Sequence, residues 1–236
     1  AIDSVLSQDY NNLELLVVDD ASTDETRSLL EEYQRKDTRV RIVRNDTNMG
    51  FVRSLNKGIG RAKGKYIARL DDDDFWHEKT KIRKQVDFLE QHSDYVLIGG
   101  GVIRVSPEGK ELSRQLYPET DELIRKILLQ TDPFVHTSVM FLKKAWEDVG
   151  GYDESYAFSQ DWELWLRLAR IGKCYNLPEY VVTYLQGHQN RSNHNMVYHK
   201  WLNLKLRVQH RADFPGFYRA YILGWGSLLF SLLPFQ

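Results

Sequence analysis

Cysteine, a dominant charge and an uninterrupted apolar run are what this 236-residue sequence lacks, and each absence removes a class of protein. The single Cys174 excludes an internal disulfide, and no His and base accompany it in a nucleophile pattern, so it reads as a small buried thiol. Lys and Arg number 32 against 33 acids, a net charge of −1. That balance lacks the electrostatic footprint of a nucleic-acid binder, so no nucleic-acid partner is expected. The opening "AIDSVLSQDY" has neither a basic n-region nor an apolar h-region with a cleavage site, and no secretory leader is visible. It also lacks an initiator Met and already shows helical spacing in Ile2, Val5 and Leu6, so the chain reads as a fragment. The apolar stretch "FYRAYILGWGSLLFSLLPFQ" is interrupted by Arg219 and by Gly224 to Gly226 before it reaches a clean spanning length. An interfacial helix, or the start of a longer hydrophobic tail, fits it better.

What is present describes a globular chain: 42% hydrophobic and 28% charged residues. A chain of this length buries about 70% of its unfolded surface, enough for one large domain with a small appendage. "LELLVVDD" is a buried strand ending in acids. "ASTDETRSLLEEYQRK" follows as a helix, with Ser22 and Thr23 as capping candidates. "RVRIVRND" gives a second strand, "TNMGFVRSLNKGIGRAKG" a loop and helix, and "KYIARLDDDD" a third strand. Beyond it come the helix "KTKIRKQVDFLEQH", the strand "YVLIGGGVIRV" and a hairpin turn around Pro107 and Gly109. A helix near 119–130, a strand in "VHTSVMFLKK" and the amphipathic helix "QDWELWLRLARIG" complete the catalytic part. This alternation predicts an α/β sheet flanked by helices, with ligands at the carboxyl ends of strands. The domain runs over 1–190, and 191–236 is a helical, apolar and aromatic tail.

Both acid clusters, Asp19–Asp20 and Asp71–Asp74, fall at strand ends, so they share one crevice in this reading. Alternation along an extended strand would point Asp71 and Asp73 together and Asp72 and Asp74 elsewhere. A carboxylate pair at a strand end suits a hard divalent cation such as Mg²⁺ or Mn²⁺, completed by substrate phosphates. Such a cation also removes the repulsion within "LDDDDFW". Asp74 is expected to cap the next helix.

Three segments, "LELLVVDDASTDET", "NMGFVRSLNKGIGRAKGKYIARLDDDDFW" and "SQDWELWLRL", resemble in order and spacing the signature segments of glycosyltransferase family 2. These are inverting, nucleotide-sugar-dependent enzymes of the GT-A fold, a Rossmann-like mixed sheet. The resemblance implies roles. Asp20 would accept a hydrogen bond from the nucleotide's uracil or thymine, with Asp19 supporting the turn. Asp71 would lie near ribose and metal, and Asp73 would ligate Mn²⁺ or Mg²⁺ directly, with Asp72 in the variable middle position. Asp161 would be the catalytic base, preceded here by Gln160 where the family more often has Glu, a change on the acceptor side. His136 would line that side too. His188, in "YLQGHQNRSN", would approach the diphosphate and metal. Asn48, Gly50, Arg53 and Asn56 lie in the segment that folds over the nucleotide in relatives. The family's first strand, with its Pro and aromatic residue, would precede Ala1, and its lack is expected to weaken stability and nucleotide binding.

The function implied is transfer of a sugar from a UDP-sugar, or a dTDP-sugar, to a hydroxyl of a saccharide or lipid-linked saccharide in surface polysaccharide or glycolipid synthesis. The setting implied is cytoplasmic, with the tail either touching the inner face of the membrane or packing as a helical lid. Two other readings stay open: a sugar nucleotidyltransferase, and an idle module that binds nucleotide sugar without turnover.

Overall fold

The computed structural model describes residues 1–187 and 195–232. After the short helix α1 (Ile2–Leu6), the strand β1 (Leu15–Asp19) pairs in parallel with β2 (Val40–Arg44) through the crossover helix α2 (Thr26–Lys36). Neither Ser22 nor Thr23 caps α2. The Asp24 carboxylate accepts the Thr26 N–H at 3.0 Å, and the Ser22 N–H is drawn back to Asp19 at 2.9 Å. A short acidic side chain two residues upstream outcompetes the hydroxyls for that free donor. Helix α3 (Phe51–Arg61) starts at Gly50, whose φ of 84° lies in the region that favours glycine.

The larger sheet has five strands: β3 (Tyr66–Ala68), β4 (Tyr95–Val105), β5 (Glu111–Gln115), β6 (Met140–Leu142) and β7 (Lys173–Leu185). The order β3-β6-β4-β5 is antiparallel throughout, and β7 runs parallel along the other edge of β4, so the sheet is mixed. β5 returns from β4 through the expected Pro107–Gly109 turn, closed by Ser106 and Lys110. Two expectations shift. "VHTSVMFLKK" is a strand only over Met140–Leu142, because His136–Ser138 forms a 3₁₀ turn that carries His136 off the sheet and a helix begins at Lys143. β7 was not anticipated in "KCYNLPEYVVTYL": Pro178 cannot donate to a ladder, and the pairing skips Pro178 and Glu179 between the Gly100–Leu177 and Gly101–Tyr180 pairs.

Helix α4 (Lys81–Gln91) crosses one face of this sheet, while α5 (Asp121–Ile127), α6 (Lys143–Asp148) and α7 (Gln160–Ile171) lie with the other core. Alternation along β4 and β6 makes the two cores. Leu97 and Phe141 join Trp165, Leu164 and Leu168 of α7, and Ile98 and Met140 join Trp76, Val86 and Val181. The α7 side also takes up the chain's end. Helices α8 (Met196–Gln209) and α9 (Phe217–Phe230) bury Leu202, Leu206 and Ala220 in the same cluster, and the Arg207 guanidinium donates to the carbonyls of Leu129 at 3.0 Å and Gln130 at 2.9 Å. The inner face of the apolar tail is thus packed on the domain. Among the described residues no helix is long and apolar enough to cross a membrane. Cys174 is buried and free, its thiol pushed up by burial, as the sequence suggested.

Candidate active site

Asp19 and Asp20 end β1 but face different partners. Asp19 is buried, accepts from the Ser22 N–H and stands 3.6 Å from the Arg44 guanidinium. Asp20 accepts from the Asn45 side chain at 2.7 Å, the Met49 N–H at 2.8 Å and the Gly50 N–H at 2.9 Å. Burial works to raise its pKa, but these donors prevail and hold the carboxyl below its usual range. The Gly50 N–H falls on Oδ2, and the Ser54 hydroxyl adds a further hydrogen bond to the carboxylate.

The next residue, Phe51, connects this end to the acid run. Its ring lies 5.3 Å from the Arg69 guanidinium and 6.3 Å from the His136 ring. Arg53 and Asn56, one helical turn on, turn toward the loop before α7. Arg53 pairs with Glu154 at 3.0 Å, and Asn56 clamps both backbone groups of Tyr152, giving to its carbonyl and accepting from its N–H at 2.9 Å each.

The four acids of "LDDDDFW" do not alternate as strand residues, because β3 has ended and the chain turns, with the Asp74 N–H reaching back to the Asp71 carbonyl at 3.4 Å. Carboxylate oxygens of Asp71, Asp73 and Asp74 therefore lie within 4.8 Å of one another, while Asp72 is exposed. Asp74 does not cap a helix either. Thr80 holds that position, and Asp74 is buried, accepting the Leu185 N–H at 2.9 Å. It fastens the end of β7 to the acid turn. Burial, then repulsion from Asp71 and Asp73, pushes its carboxyl up to about 7, and its Oδ2 is buried with no hydrogen-bond partner among the described residues. Asp73 is likewise raised, first by burial and then by Asp71 and Asp72. Three carboxylates gathered this closely, opposed by one guanidinium and with one buried oxygen lacking a hydrogen-bond partner among the described residues, fit a hard divalent cation.

Arg69 carried no sequence-based role, yet it organises the site. It is buried, pairs with Asp71, and its charge acts on Asp161 and Tyr152. A signal was available, since an Arg in a strand-like run is seldom buried without a charged partner. Asp161 sits in the first turn of α7, its Oδ1 accepting the Trp162 N–H at 2.8 Å. Burial raises its carboxyl above the ordinary range, against the Trp162 hydrogen bond and Arg69. Its other oxygen faces His136 Nδ1 at 3.9 Å, and His136 Nε2 lies 2.7 Å from the Tyr152 hydroxyl. Burial and then Arg69 push the imidazole well below its usual pKa, so it is neutral. With the Tyr152 hydroxyl held protonated by burial and the imidazole neutral, the two share one hydrogen bond through Nε2, and Nδ1 is the ring nitrogen that faces Asp161. Gln160 is buried beside it at the start of α7. Asp132 was also missed; burial and then the charge on Asp161 push its carboxyl well up. His188 lies outside the described residues.

Known proteins share this arrangement of chain. The putative glycosyltransferase EpsE of Bacillus subtilis is 36% identical over 183 residues, covering 76% of this chain and 64% of its own. The amylovoran biosynthesis glycosyltransferase AmsE of Erwinia amylovora is 29% identical over 182 residues, covering 77% and 67%. The Staphylococcus aureus TarS 1–349 structure in complex with UDP-GlcNAc superposes with a TM-score of 0.69 at 17% identity, over 96% of this chain and 65% of that one. The chain spans just under two-thirds of the length of the most similar curated relatives. The description "Glycosyl transferase family 2" matches residues 1–150, which carry both acid clusters and His136, so the chain belongs to glycosyl transferase family 2 and has the GT-A fold.

Proposed function

We propose that the chain is the catalytic part of an inverting glycosyltransferase that transfers a sugar from a UDP-sugar to a hydroxyl of a saccharide or lipid-linked saccharide. The observation that carries this reading is the line of charge from the Asp71–Asp73–Asp74 trio through buried Arg69 to Asp161 at the start of α7. Asp161 takes the proton of the acceptor hydroxyl; the freed oxygen bonds the anomeric carbon as the bond to the diphosphate breaks, and the configuration inverts. His136, neutral and facing the carboxylate through Nδ1 at 3.9 Å, positions it for that task. The Asp20 carboxylate, an acceptor held ionised by its donors, reads a base N–H, with Asp19, Arg53 and Asn56 fixing the loops on either side. Asp71, Asp73 and Asp74 would hold Mn²⁺ or Mg²⁺, which when bound neutralises charge developing on the leaving diphosphate. TarS with UDP-GlcNAc supports the donor class, and AmsE supports a saccharide as acceptor. The setting we infer is cytoplasmic.

The test is metal-dependent release of UDP from a panel of UDP-sugars by the full-length protein. Asp161→Asn is expected to lower kcat by about 10²–10⁴ with nucleotide affinity unchanged. Full turnover by that variant would remove the base, and binding without turnover by the native protein would favour an idle module.

A further inference from the structure

Helix α9 is apolar on every side, with Arg219 its single charge, yet the described residues bury only one side of it. Ala220, Gly224 and Leu228 face α8, and the contact is close: a Cβ on Gly224 would stand 3.0 Å from Leu204 and 3.1 Å from Arg207. The opposite stripe carries Tyr218 at 82% exposure, Ile222 at 70%, Trp225 at 42% and Leu229 at 57%, continued by Phe230 and Leu232. A helix hydrophobic all round is ordinarily buried. Beside this stripe, Trp201, Leu204 and Val208 of α8 and Tyr221 and Trp225 of α9 line a groove of about 390 Å³, with Lys205 at its edge. The apolar surface is thus continuous across both helices, larger than scattered exposed residues explain.

Charge identifies the occupant. Residues 195–236 hold five cations, Lys200, Lys205, Arg207, Arg211 and Arg219, against the single acid Asp213, in a chain whose net charge is −1. Asp213 is itself engaged by His210 at 2.9 Å and Arg170 at 3.5 Å. A second copy docking through the same face would bring these cations against each other across a two-fold axis, which costs affinity. An anionic lipid surface offers the complement: headgroup charge for Lys205, Arg211 and Arg219, the headgroup boundary for the amphipathic rings of Tyr218, Tyr221 and Trp225, and acyl chain for Ile222, Leu229 and Phe230. With 14 residues α9 is about 21 Å long, short of a hydrocarbon core of about 30 Å, so it lies along the surface. We propose that the outer face of α9, with the adjoining α8 groove, docks this protein flat on anionic membrane. This surface stands apart from the acid site, so it does not depend on the proposed transferase reaction.

Flotation of the full-length protein on phosphatidylcholine vesicles, with and without phosphatidylglycerol, tests it. The native protein is expected to float with the anionic vesicles and to stay down with phosphatidylcholine alone. The double variant Ile222→Ser/Leu229→Ser changes side chains that are already exposed. It is expected to lose vesicle binding by about tenfold or more, because each residue surrenders apolar burial. Lys205→Glu/Arg219→Glu should lose binding only to the anionic vesicles. Quenching of tryptophan fluorescence by brominated lipid reads the same docking in the native protein without any variant. Failure of the native protein to float, unquenched fluorescence, equal flotation of the apolar double variant, or a dimer that this variant dissociates in the absence of lipid would each overturn the proposal.

Discussion

At the scale of single residues, charge inside the site decides what the acids can do. Arg69 pairs with Asp71, and its charge favours the ionised form of Asp161. Replacing it by Met removes that support, so Asp161 gains its proton at higher pH. The acid limb of the kcat/KM profile is then expected to move upward in pH, with kcat falling and Arg69→Lys recovering part of the loss. Stability is not expected to fall in parallel, since Nε and Nη1 of Arg69 are buried without hydrogen-bond partners among the described residues. Asp74 gives the converse case. Its folded carboxyl titrates near 7 against an ordinary value of 3.8, so between those values the folded state holds a proton that the unfolded state has lost. Rising pH through this window therefore removes stability, by up to about 4 kcal/mol at 1.36 kcal/mol for each pH unit. Asp74→Asn keeps an oxygen for the Leu185 N–H and cannot ionise. In chelator-treated protein, urea unfolding should find the variant more stable than the native protein at pH 8, with the difference shrinking toward pH 5. Asp19, Asp20, Asp71, Asp73 and Asp161 stood out in the sequence because acids gathered at strand ends are conspicuous. Arg69 and Asp132 did not, because a residue's burial and neighbours are set by chain segments far away along the sequence.

At the scale of elements, local rules read well where neighbours in sequence decide the conformation and fail where distant ones do. β1, α2, β2 and α3 follow from apolar runs, helical spacing and glycine. β7 is formed by its pairing with β4, and that pairing absorbs Pro178 in a skip of register that no local pattern announces. The acid turn shows the same limit: alternation was assumed to continue to Asp74, but β3 stops at Ala68 and the Leu185 N–H captures the fourth acid. Gly99 gives this scale its test. A Cβ there would meet the Asn176 side-chain oxygen at 2.3 Å and the Phe134 ring at 2.8 Å, while Asn176 also donates to the carbonyls of Pro118 and Pro133. Gly99→Ala is therefore expected to cost about 1–3 kcal/mol in thermal or urea unfolding. Gly60→Ala, at an exposed helical position with nothing within 4 Å of the new atom, should instead stabilise by about 0.5–1 kcal/mol.

At the scale of the whole molecule, the candidate site is divided between two sheets that share no hydrogen-bonded strand pair among the described residues. Asp20 follows β1 and the acid trio follows β3, and they meet through Gly50 and Phe51 at the start of α3. A ligand that reaches from Asp20 to the trio ties the two sheets together, and its binding energy adds to folding stability by mass action. On the proposed reading a nucleoside alone would touch the Asp20 end and a divalent ion alone the trio, whereas a nucleoside diphosphate with the ion would engage both. Calorimetric melting of the full-length protein should therefore show small shifts with uridine or Mn²⁺ separately. With UDP and Mn²⁺ together at about 100 times the dissociation constant, the gain should be about 2.7 kcal/mol. Asp20→Ala and Asp73→Ala should each abolish the excess of the pair over its parts, and chelator should restore the unliganded melting temperature. Shifts that merely add, or an unchanged excess in either variant, would mean that the two ends do not act as one site.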